Sequence, residues 1–352
     1  MKQAKRLRIL TAVIGLVLLI GMAAGCGQGP TTAATKAAAS VTTAKSAATT
    51  AGKVIKIGIT QIADHPSLDN CREGFIMAFM EAGYQQDVNV IYDIQNAQGD
   101  GGTANLIAQR FVSEGVDLIC AIATPSAQSC YNAAQPKKIP VVFSAVSDPV
   151  AAQLVPGVGK AGNGITGTSD ALPLEKQLKM IRAFLPQAKS IGILYNTSEV
   201  NSESQIAQLK TLVPKYGFEL VTVGVSSAAD IPLAADNILA KVDCLNNLTD
   251  NLVVSNLATI LDKANAKGIP VFGSEEEQVS NGCLACEGID YVKLGRQTGE
   301  MALKILKGTP VSEIPYETII DSKPFINSTV LKKLNITLPA AYSQAADLGK
   351  KG

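Results

Sequence analysis

The chain has 352 residues, 47% of them hydrophobic, and its 31 basic and 30 acidic side chains give a formal net charge of +1. Because these charges are scattered and tryptophan is absent, the sequence lacks the basic footprint of a nucleic-acid-binding protein. A single histidine, His65, excludes a metal centre built from several histidines.

The first 26 residues have the pattern of an export signal. Four basic residues precede the apolar run 9–20, which has signal-peptide length and is too short for a dependable membrane span. The following sequence, Ala23-Ala-Gly-Cys26, resembles the lipobox of bacterial lipoproteins. We therefore expect a signal peptide over 1–26, a lipid on Cys26 and an extracytoplasmic protein anchored to the cell membrane. An ordinary secretory signal remains the alternative.

Residues 27–52 consist almost wholly of Gly, Ala, Ser, Thr, Gln and Lys. Such a composition cannot bury enough apolar surface to offset the entropy of ordering it. It predicts a disordered tether, followed by a folded part that begins near Lys53. Without the four basic residues of the signal, the remaining side chains carry a formal charge of −3, and about 300 residues are enough for one large or two medium domains.

The folded part alternates short β-branched runs with helical patterns in two successive series. In the first series, strands are predicted at 54–60, 88–94, 116–123 and 139–144, and helices at 68–82, 103–113 and 127–134. In the second, helices are predicted at 173–184, 199–213, 228–240 and 252–267, and strands at 190–195, 218–223, 242–245 and 269–272. This alternation predicts an α/β protein with two doubly wound parallel-sheet lobes and a ligand cleft at the carboxyl ends of the strands.

The predicted elements in the last part of the chain are too few to form a lobe by themselves. It runs through 283–290, a predicted helix at 293–307, a proline-containing linker and an extended segment from Lys323. We expect these elements to complete both lobes through a hinge of crossing segments. The predicted N-terminal lobe comprises 54–165 plus 290–322, and the C-terminal lobe 166–289 plus 323–340.

Six cysteines follow Cys26, namely Cys71, Cys120, Cys130, Cys244, Cys283 and Cys286. Cys120 and Cys244 lie in apolar runs, which predicts buried thiols that pack as small hydrophobic groups. Cys283 and Cys286 form a lone Cys-x-x-Cys with no second pair or nearby histidine. We expect no metal site and no cofactor, and the thiol or disulfide state stays open.

A series of ordered motifs resembles the lipoprotein solute-binding subunits of ABC importers. They include His65-Pro-Ser-Leu-Asp69, Asn96-Ala-Gln-Gly-Asp100, Ile122-Ala-Thr-Pro-Ser-Ala-Gln128, Val141-Val-Phe-Ser-Ala-Val-Ser-Asp-Pro-Val150 and Gly288-Ile-Asp-Tyr-Val-Lys-Leu-Gly295. The resemblance covers nearly everything from Val54 to Pro339. It implies a type I periplasmic-binding-protein fold with three interlobe crossings, a permease and its ATPase as partners, and a ligand resembling the aromatic amino acids that characterised members bind.

A cleft for an amino acid needs donors for its carboxylate, an acid for its ammonium group and an apolar or aromatic wall. Thr124, Ser126 and Ser144 lie where predicted strands meet following helices or turns, so their hydroxyls could help to bind the carboxylate. Helix capping explains such residues equally well.

Acids near predicted strand ends or lobe crossings are the candidates for the ammonium group: Asp148, Asp170, Glu199, Asp250, Glu275 and Asp290. One or two should suffice, since Asp170 could instead start a helix and Asp290 could fix a crossing segment. The further candidate ligand-binding residues are Gln61, Asn196, Asn201, Asn251, Tyr195 and Tyr291. His65, in the loop after the first strand, could contact the ligand or form a turn with the proline that follows.

The resemblance therefore implies a monomeric solute-binding lipoprotein that captures a small solute, in the first place an aromatic amino acid, by interlobe closure. We expect it to deliver this ligand to a permease and to catalyse no reaction. Three alternatives stay open. The first is a receptor for a sugar, nucleoside or signal molecule on the same scaffold, and the second is a sensory module that reports to a kinase. The third is a surface hydrolase, for which no Gly-x-Ser-x-Gly motif is present.

Overall fold

The computed structural model describes residues 53–349. The predicted signal peptide, the predicted lipidation site Cys26 and the predicted tether lie outside these residues. Within the described range, no helix is long and apolar enough to cross a bilayer.

The first series of elements alternates strands and helices as the sequence predicts. In chain order these are β1 (Ile55–Gln61), α1 (Pro66–Glu81), β2 (Val90–Asn96), α2 (Gly101–Glu114), β3 (Leu118–Ile122), α3 (Thr124–Ala134), β4 (Val141–Ser144) and β5 (Ile165–Ser169). Local signals set their ends. Asp100 caps α2 by accepting the N–H of Thr103 at 2.6 Å, and Gly115 ends the helix with a left-handed φ of 64°.

The second series follows the same rule with one difference. Its elements are α4 (Leu174–Phe184), β6 (Ser190–Asn196), α5 (Val200–Leu212), β7 (Glu219–Val225), α6 (Ile231–Ile238), β8 (Cys244–Asn246), α7 (Asn251–Ser255), α8 (Leu257–Lys267) and β9 (Val271–Phe272). The prediction of a single helix at 252–267 was wrong, because the helix is interrupted at Asn256. The side-chain amide of Asn256 donates to the Leu252 carbonyl at 2.8 Å. Asparagine competes in this way with the backbone hydrogen bonds of a helix.

The late elements are α9 (Glu276–Ser280), β10 (Ala285–Gly288), α10 (Tyr291–Leu306), β11 (Glu317–Thr318), β12 (Lys323–Ile326), α11 (Ser328–Lys333) and β13 (Ala346–Asp347). They complete sheets begun earlier. The first sheet has the order β11-β5-β4-β3-β1-β2, and the second has the order β7-β6-β8-β9, with all pairs parallel. A third sheet, β10-β12-β13, adjoins β9 through the Leu284 N–H, which donates to the Val271 carbonyl at 2.7 Å.

The α/β class with parallel sheets is thus confirmed. We call the first sheet with α1–α3 and α10 the first lobe, and the second and third sheets with α4–α9 and α11 the second lobe. Each lobe has its own core. That of the first lobe includes Tyr291 and Leu294 of α10, although this helix comes more than a hundred residues after β5. The second lobe packs apolar side chains on both faces of its sheet.

Three segments connect the lobes, namely 170–173 after β5, 289–290 after β10 and 319–322 after β11. The predicted boundary between 165 and 166 falls at the start of β5, which pairs with β4 in the first sheet through Gly167. We therefore propose that the first division follows Ser169. The three short crossings leave each lobe free to pivot as a unit.

Every cysteine of the described range is buried and unbridged. Burial in apolar surroundings raises the pKa of the Cys130 thiol to about 12. Cys120 and Cys244 are fully buried, as their apolar contexts predict. The thiols of the described range therefore act as packing groups.

Close contact between α1 and α10 depends on glycine at Gly295. A Cβ atom there would lie 1.9 Å from the carbonyl oxygen of Cys71 on α1. We expect Gly295→Ala to lower the free energy of unfolding by about 1–3 kcal/mol, because the helices must separate. Urea denaturation measures the change, and the exposed Gly101→Ala, whose Cβ meets nothing within 4 Å, is the control. Equal midpoints for the two variants would contradict the packing argument.

Candidate functional site

A narrow, largely enclosed cavity lies where the strand ends of the two lobes face each other, and in this closed structure its volume of about 10 Å³ leaves room for about one water molecule. Its walls consist of His65, Leu68, Ala123, Thr124, Ala145, Ser147, Asp170, Asn201, Thr249, Asn251, Glu275 and Tyr291. Most of the first-lobe residues follow β1, β3, β4 and β5, and most of the second-lobe residues follow β8 and β9. The cavity therefore occupies the position at which open α/β sheets bind ligands.

Two alanines of the wall have strained backbones. Ala123, between β3 and α3, has a φ of 74°, and Ala145, directly after β4, has a φ of 55°. Such left-handed conformations are costly for residues with a Cβ atom and persist where the surrounding structure enforces them. Both residues lie in turns at the edge of the cavity, so the backbone strain lies at the site itself.

The N-terminus of α3 offers polar groups without partners. The Thr124 hydroxyl is buried and makes no hydrogen bond within the described range, and neither does that of Ser126. No side chain caps α3. A helix start with free donors favours a negatively charged group, and Thr124 lies in the cavity wall beside it.

Two buried acids face the cavity. Asp170 accepts the Tyr291 hydroxyl at 3.0 Å through Oδ2, while its buried Oδ1 has no hydrogen-bond partner within the described range. Burial raises the pKa of Asp170, and burial together with the charge of Glu277 raises the pKa of Glu275 to about 8. Among the described residues, no lysine or arginine lines the cavity. Without a cation the neutral forms of both acids are favoured, and a positive charge in the cavity would favour the ionised forms.

A third acid organises the second-lobe wall from behind. Glu199 accepts the Asn251 amide at 2.6 Å, the Asn201 amide at 3.0 Å and the backbone N–H groups of Asn251 and Leu252 at 3.0 and 3.2 Å. Both asparagines line the cavity, whereas Glu199 does not. Glu199 therefore fixes the orientation of the amides that a ligand would meet.

Asp250 lies beside this carboxylate. It accepts the N–H of Asn196 at 2.6 Å, the hydroxyl of Ser202 at 2.7 Å and the N–H of Val253 at 2.9 Å. Burial, with the nearby charge of Glu199, raises the pKa of Asp250 to about 7. Asp250 joins β6, α5 and α7 and has no place in the cavity wall.

The lobes meet directly around the cavity. The hydroxyls of Ser147 and Thr249 are 3.1 Å apart, and Ser67 of α1 donates to Glu277 of α9 at 3.0 Å. Asp148 at the rim accepts the hydroxyl of Ser204 from α5. These contacts join opposite lobes, so the structure has a closed cleft.

The structure brings four of the predicted ligand-binding residues into one wall: Thr124, Asp170, Asn251 and Glu275. Tyr291, Asn201 and His65 join them, as the sequence suggests. Of the other wall residues, Ala123, Ala145 and Ser147 adjoin or lie close to the predicted Thr124 and Ser144, and Leu68 and Thr249 were missed. Thr249 precedes the predicted Asp250 and shares its position beyond a strand end, whereas nothing distinguishes Leu68 from a core leucine in sequence.

The other predicted residues do not line the cavity, and each has a different local role. Gln61 donates to the Ala63 carbonyl at 2.9 Å and to Asp69 at 3.1 Å, and the Ser144 hydroxyl bonds with that of Thr298 at 3.1 Å. Asp290 is exposed and caps α10 by accepting the Lys293 N–H at 2.9 Å.

The remaining predicted residues also lie outside the wall. Asn196 donates to Glu199 at 3.2 Å, and Asp148 lies at the rim. Ser126 is buried without lining the cavity, and Tyr195 packs against the core of the second lobe.

Two α/β lobes that enclose a polar cavity at their strand ends, joined by three crossings, define a solute-binding protein. Residues 56–349 match the family described as ABC transporter substrate binding protein, and the chain belongs to that family. It is thus extracytoplasmic and works with an ABC permease, as the sequence predicts.

Known proteins of this kind are similar over almost the whole chain. The Tyrosine-binding protein of Clostridioides difficile (strain R20291) is 42% identical over 332 residues, which cover 94% of this chain and 93% of that protein. A Streptococcus pneumonia ABC domain in complex with L-Trp is 34% identical, with a TM-score of 0.80, and the match covers 83% of this chain and 98% of that one.

A ligand-free, open structure of a Clostridium difficile substrate-binding protein with adhesive properties is 43% identical over 85% of this chain and 100% of that one. Its TM-score is only 0.64. The described structure therefore resembles the L-Trp complex more closely in shape, although it resembles the open protein more closely in sequence. The predicted type I periplasmic-binding-protein fold is confirmed.

The raised pKa of Asp250 predicts how stability depends on pH. A carboxyl group whose pKa rises from 3.8 in the unfolded chain to about 7 on folding binds its proton more tightly in the native state. Its stabilising contribution is complete below the unfolded pKa and is lost as the pH rises through about 7. Each unit of pKa corresponds to about 1.4 kcal/mol.

We therefore expect the urea midpoint of the ligand-free protein to fall from about pH 4 to about pH 7, and Asp250→Asn to make this decline shallower. The exposed Asp262→Asn is the control and should keep the wild-type slope. Parallel pH profiles for wild type and Asp250→Asn would contradict the assignment.

Proposed function

We propose that this protein captures an aromatic amino acid between its lobes and delivers it to an ABC permease. The observation that carries the proposal is a pair of buried acids without a cation: Asp170 and Glu275 are each only 2% exposed, and no basic side chain of the described range lines the wall. A ligand ammonium group supplies the missing positive charge. A neutral sugar or nucleoside does not, so the charge favours an amino acid.

The N-terminus of α3 is the proposed binding site for the carboxylate group of the ligand. A carboxylate at the start of α3 would accept from the Thr124 hydroxyl and from free backbone N–H groups. Acids on one side of the cavity and a helix N-terminus on another side match the two charges of a zwitterion. An uncharged metabolite would not use this arrangement. Leu68 and the ring of Tyr291 supply apolar surface for a side chain.

Two relatives support the aromatic assignment. One is named a tyrosine-binding protein and the other is a complex with L-Trp. Both match this chain over more than four fifths of its length, at identities of 42% and 34%. We propose the same ligand class here.

Closure is the proposed mechanism. Contacts such as Ser147 with Thr249 and Ser67 with Glu277 join opposite lobes and require a closed cleft. A ligand that touches both lobes favours this state, because it makes contacts that the open state lacks. Binding without turnover is the proposal that the family supports, since its members are substrate-binding proteins.

We also propose that the lipid-modified Cys26 holds the protein at the membrane and that residues 27–52 act as its tether. The basic start, the apolar run and the small residues before Cys26 support this proposal. A tether of this composition lets the folded part extend tens of ångströms from the bilayer, by random-coil scaling of about 5–6 Å times the square root of its length.

A thermal-shift panel of the twenty amino acids tests the ligand class. We expect tyrosine, tryptophan or phenylalanine to raise the melting temperature, since a ligand at a hundred times its Kd stabilises the native state by about 2.7 kcal/mol. Sugars and nucleosides serve as controls. A shift with these compounds and with no amino acid would overturn the assignment.

Asp170→Asn should weaken binding of the same amino acid by about a hundredfold, because an uncompensated ammonium group is costly to bury. Asp290→Asn removes the charge of an exposed acid outside the cavity that only caps α10, and this variant should bind like wild type. Isothermal titration calorimetry compares the two variants. Equal affinities would mean that Asp170 does not hold the ammonium group.

Cys26→Ala tests the anchor. We expect the full-length variant to lose palmitate labelling and to move from the membrane fraction into the soluble fraction, because the acceptor thiol is gone. Cys130→Ala, which removes a buried thiol of the first lobe, is the control and should stay with the membrane. Retention of the lipid label in Cys26→Ala would refute lipidation at this position.

A further inference from the structure

We propose that His65 recognises the side chain of the ligand, with its Nδ1 atom accepting a hydrogen bond from a phenolic O–H or an indole N–H group. This inference rests on the proposed function. It concerns the part of the site that would hold the ligand's side chain, away from the groups that bind its ammonium and carboxylate. The occupant would be an aromatic amino acid that carries a side-chain hydrogen-bond donor, so tyrosine or tryptophan in preference to phenylalanine.

The first observation is an unsatisfied atom. His65 is 7% exposed and lines the cavity, and its buried Nδ1 has no hydrogen-bond partner within the described range. Buried polar atoms almost always find a partner, so an unpartnered acceptor in the cavity wall is open to a hydrogen-bond donor of a bound ligand. Since burial lowers the pKa of His65 to about 4, the ring is neutral near pH 7, with one donor and one acceptor nitrogen.

The second observation decides which nitrogen accepts. Glu199 is a carboxylate that receives the Asn251 side-chain NH₂ at 2.6 Å, so the Asn251 Oδ1 atom must point the other way. It faces Nε2 of His65 at 3.5 Å. An amide oxygen only accepts, so Nε2 carries the ring proton and Nδ1 presents a lone pair. The hydrogen-bond chain from Glu199 through Asn251 to His65 therefore fixes Nδ1 of His65 as a hydrogen-bond acceptor.

The third observation is position. The order β5-β4-β3-β1 in the first sheet puts the chain after β1, where His65 lies, three strands away from Asp170 after β5. At a spacing of about 4.8 Å between strands, the two strand ends are about 14 Å apart. Thr124, after β3, lies between them. A ligand whose ammonium group meets Asp170 therefore directs an extended side chain towards His65.

Matched ligands test the inference on the full chain. We expect wild-type protein to bind tyrosine at least about tenfold more tightly than phenylalanine, or tryptophan at least about tenfold more tightly than 1-methyltryptophan, because the second ligand of each pair leaves Nδ1 unpaired. His65→Leu should reduce this ratio to within about threefold, because the acceptor that distinguishes the two ligands of each pair is gone. His65→Gln, which retains an acceptor oxygen, should restore part of it.

Ser255→Ala, near the same loop but outside the cavity wall, is the control and should keep the wild-type ratio. A ratio unchanged in His65→Leu, or close to one in wild type, would overturn the role of His65 while leaving amino-acid capture intact. Failure of every amino acid to bind would instead refute the proposed function.

The tautomer gives a second measurement that needs no variant. Because His65 is the only histidine of the chain, nitrogen-15 NMR of histidine-labelled protein reports its ring alone. We expect the Nε2–H tautomer near pH 7 and a change of the Nδ1 signal when tyrosine or tryptophan is added. A proton on Nδ1 would overturn the inference even if His65→Leu did not fold.

Discussion

The structure is organised around carboxylates buried at the boundary of two lobes without basic partners. Burying a charge is costly unless an opposite charge or several hydrogen bonds compensate it. Glu199 is compensated by hydrogen bonds from asparagine side chains and helix starts. Asp170 and Glu275 are compensated less completely, and they are the two acids that face the cavity. The same rule of burial thus separates an acid whose hydrogen bonds the fold supplies from two acids that the fold leaves partly without partners.

Closure links this electrostatic pattern to motion. The acids are buried only because strand ends from both lobes cover them, and the covering residues make direct hydrogen bonds across the cleft. When the lobes separate, water reaches the carboxylates and the need for a counter-charge falls. A cationic group held between the lobes therefore favours closure through electrostatics as well as through contacts.

The sequence predicts the fold far better than the site. β-branched runs and helical periodicity placed most elements within a few residues, because period and composition are local properties. The attachment of β5 to the first sheet depends on pairing across the fold, and the break at Asn256 depends on one side-chain hydrogen bond. Neither has a clear local signal.

The position of a residue after a strand predicted Thr124 and Glu275 as part of the site, and both line the cavity. The same reasoning proposed Ser144 and Asp290, which bond instead to Thr298 and to the first turn of α10. Sequence can place a polar group near an edge of a sheet, but its final partner depends on which side chains three-dimensional packing brings within reach.

The burial of the cysteine thiols affects how safely this chain can fold outside the cytoplasm. A protein that works outside the cytoplasm meets oxidants, and six unbridged cysteines are an unusual inventory there. In the mature fold they are unreactive, since oxidants reach a thiol only when it is accessible and ionised. Before the lobes have formed, all six are open to mispairing. Burial of these thiols in the folded lobes is thus what protects them from wrong crosslinks.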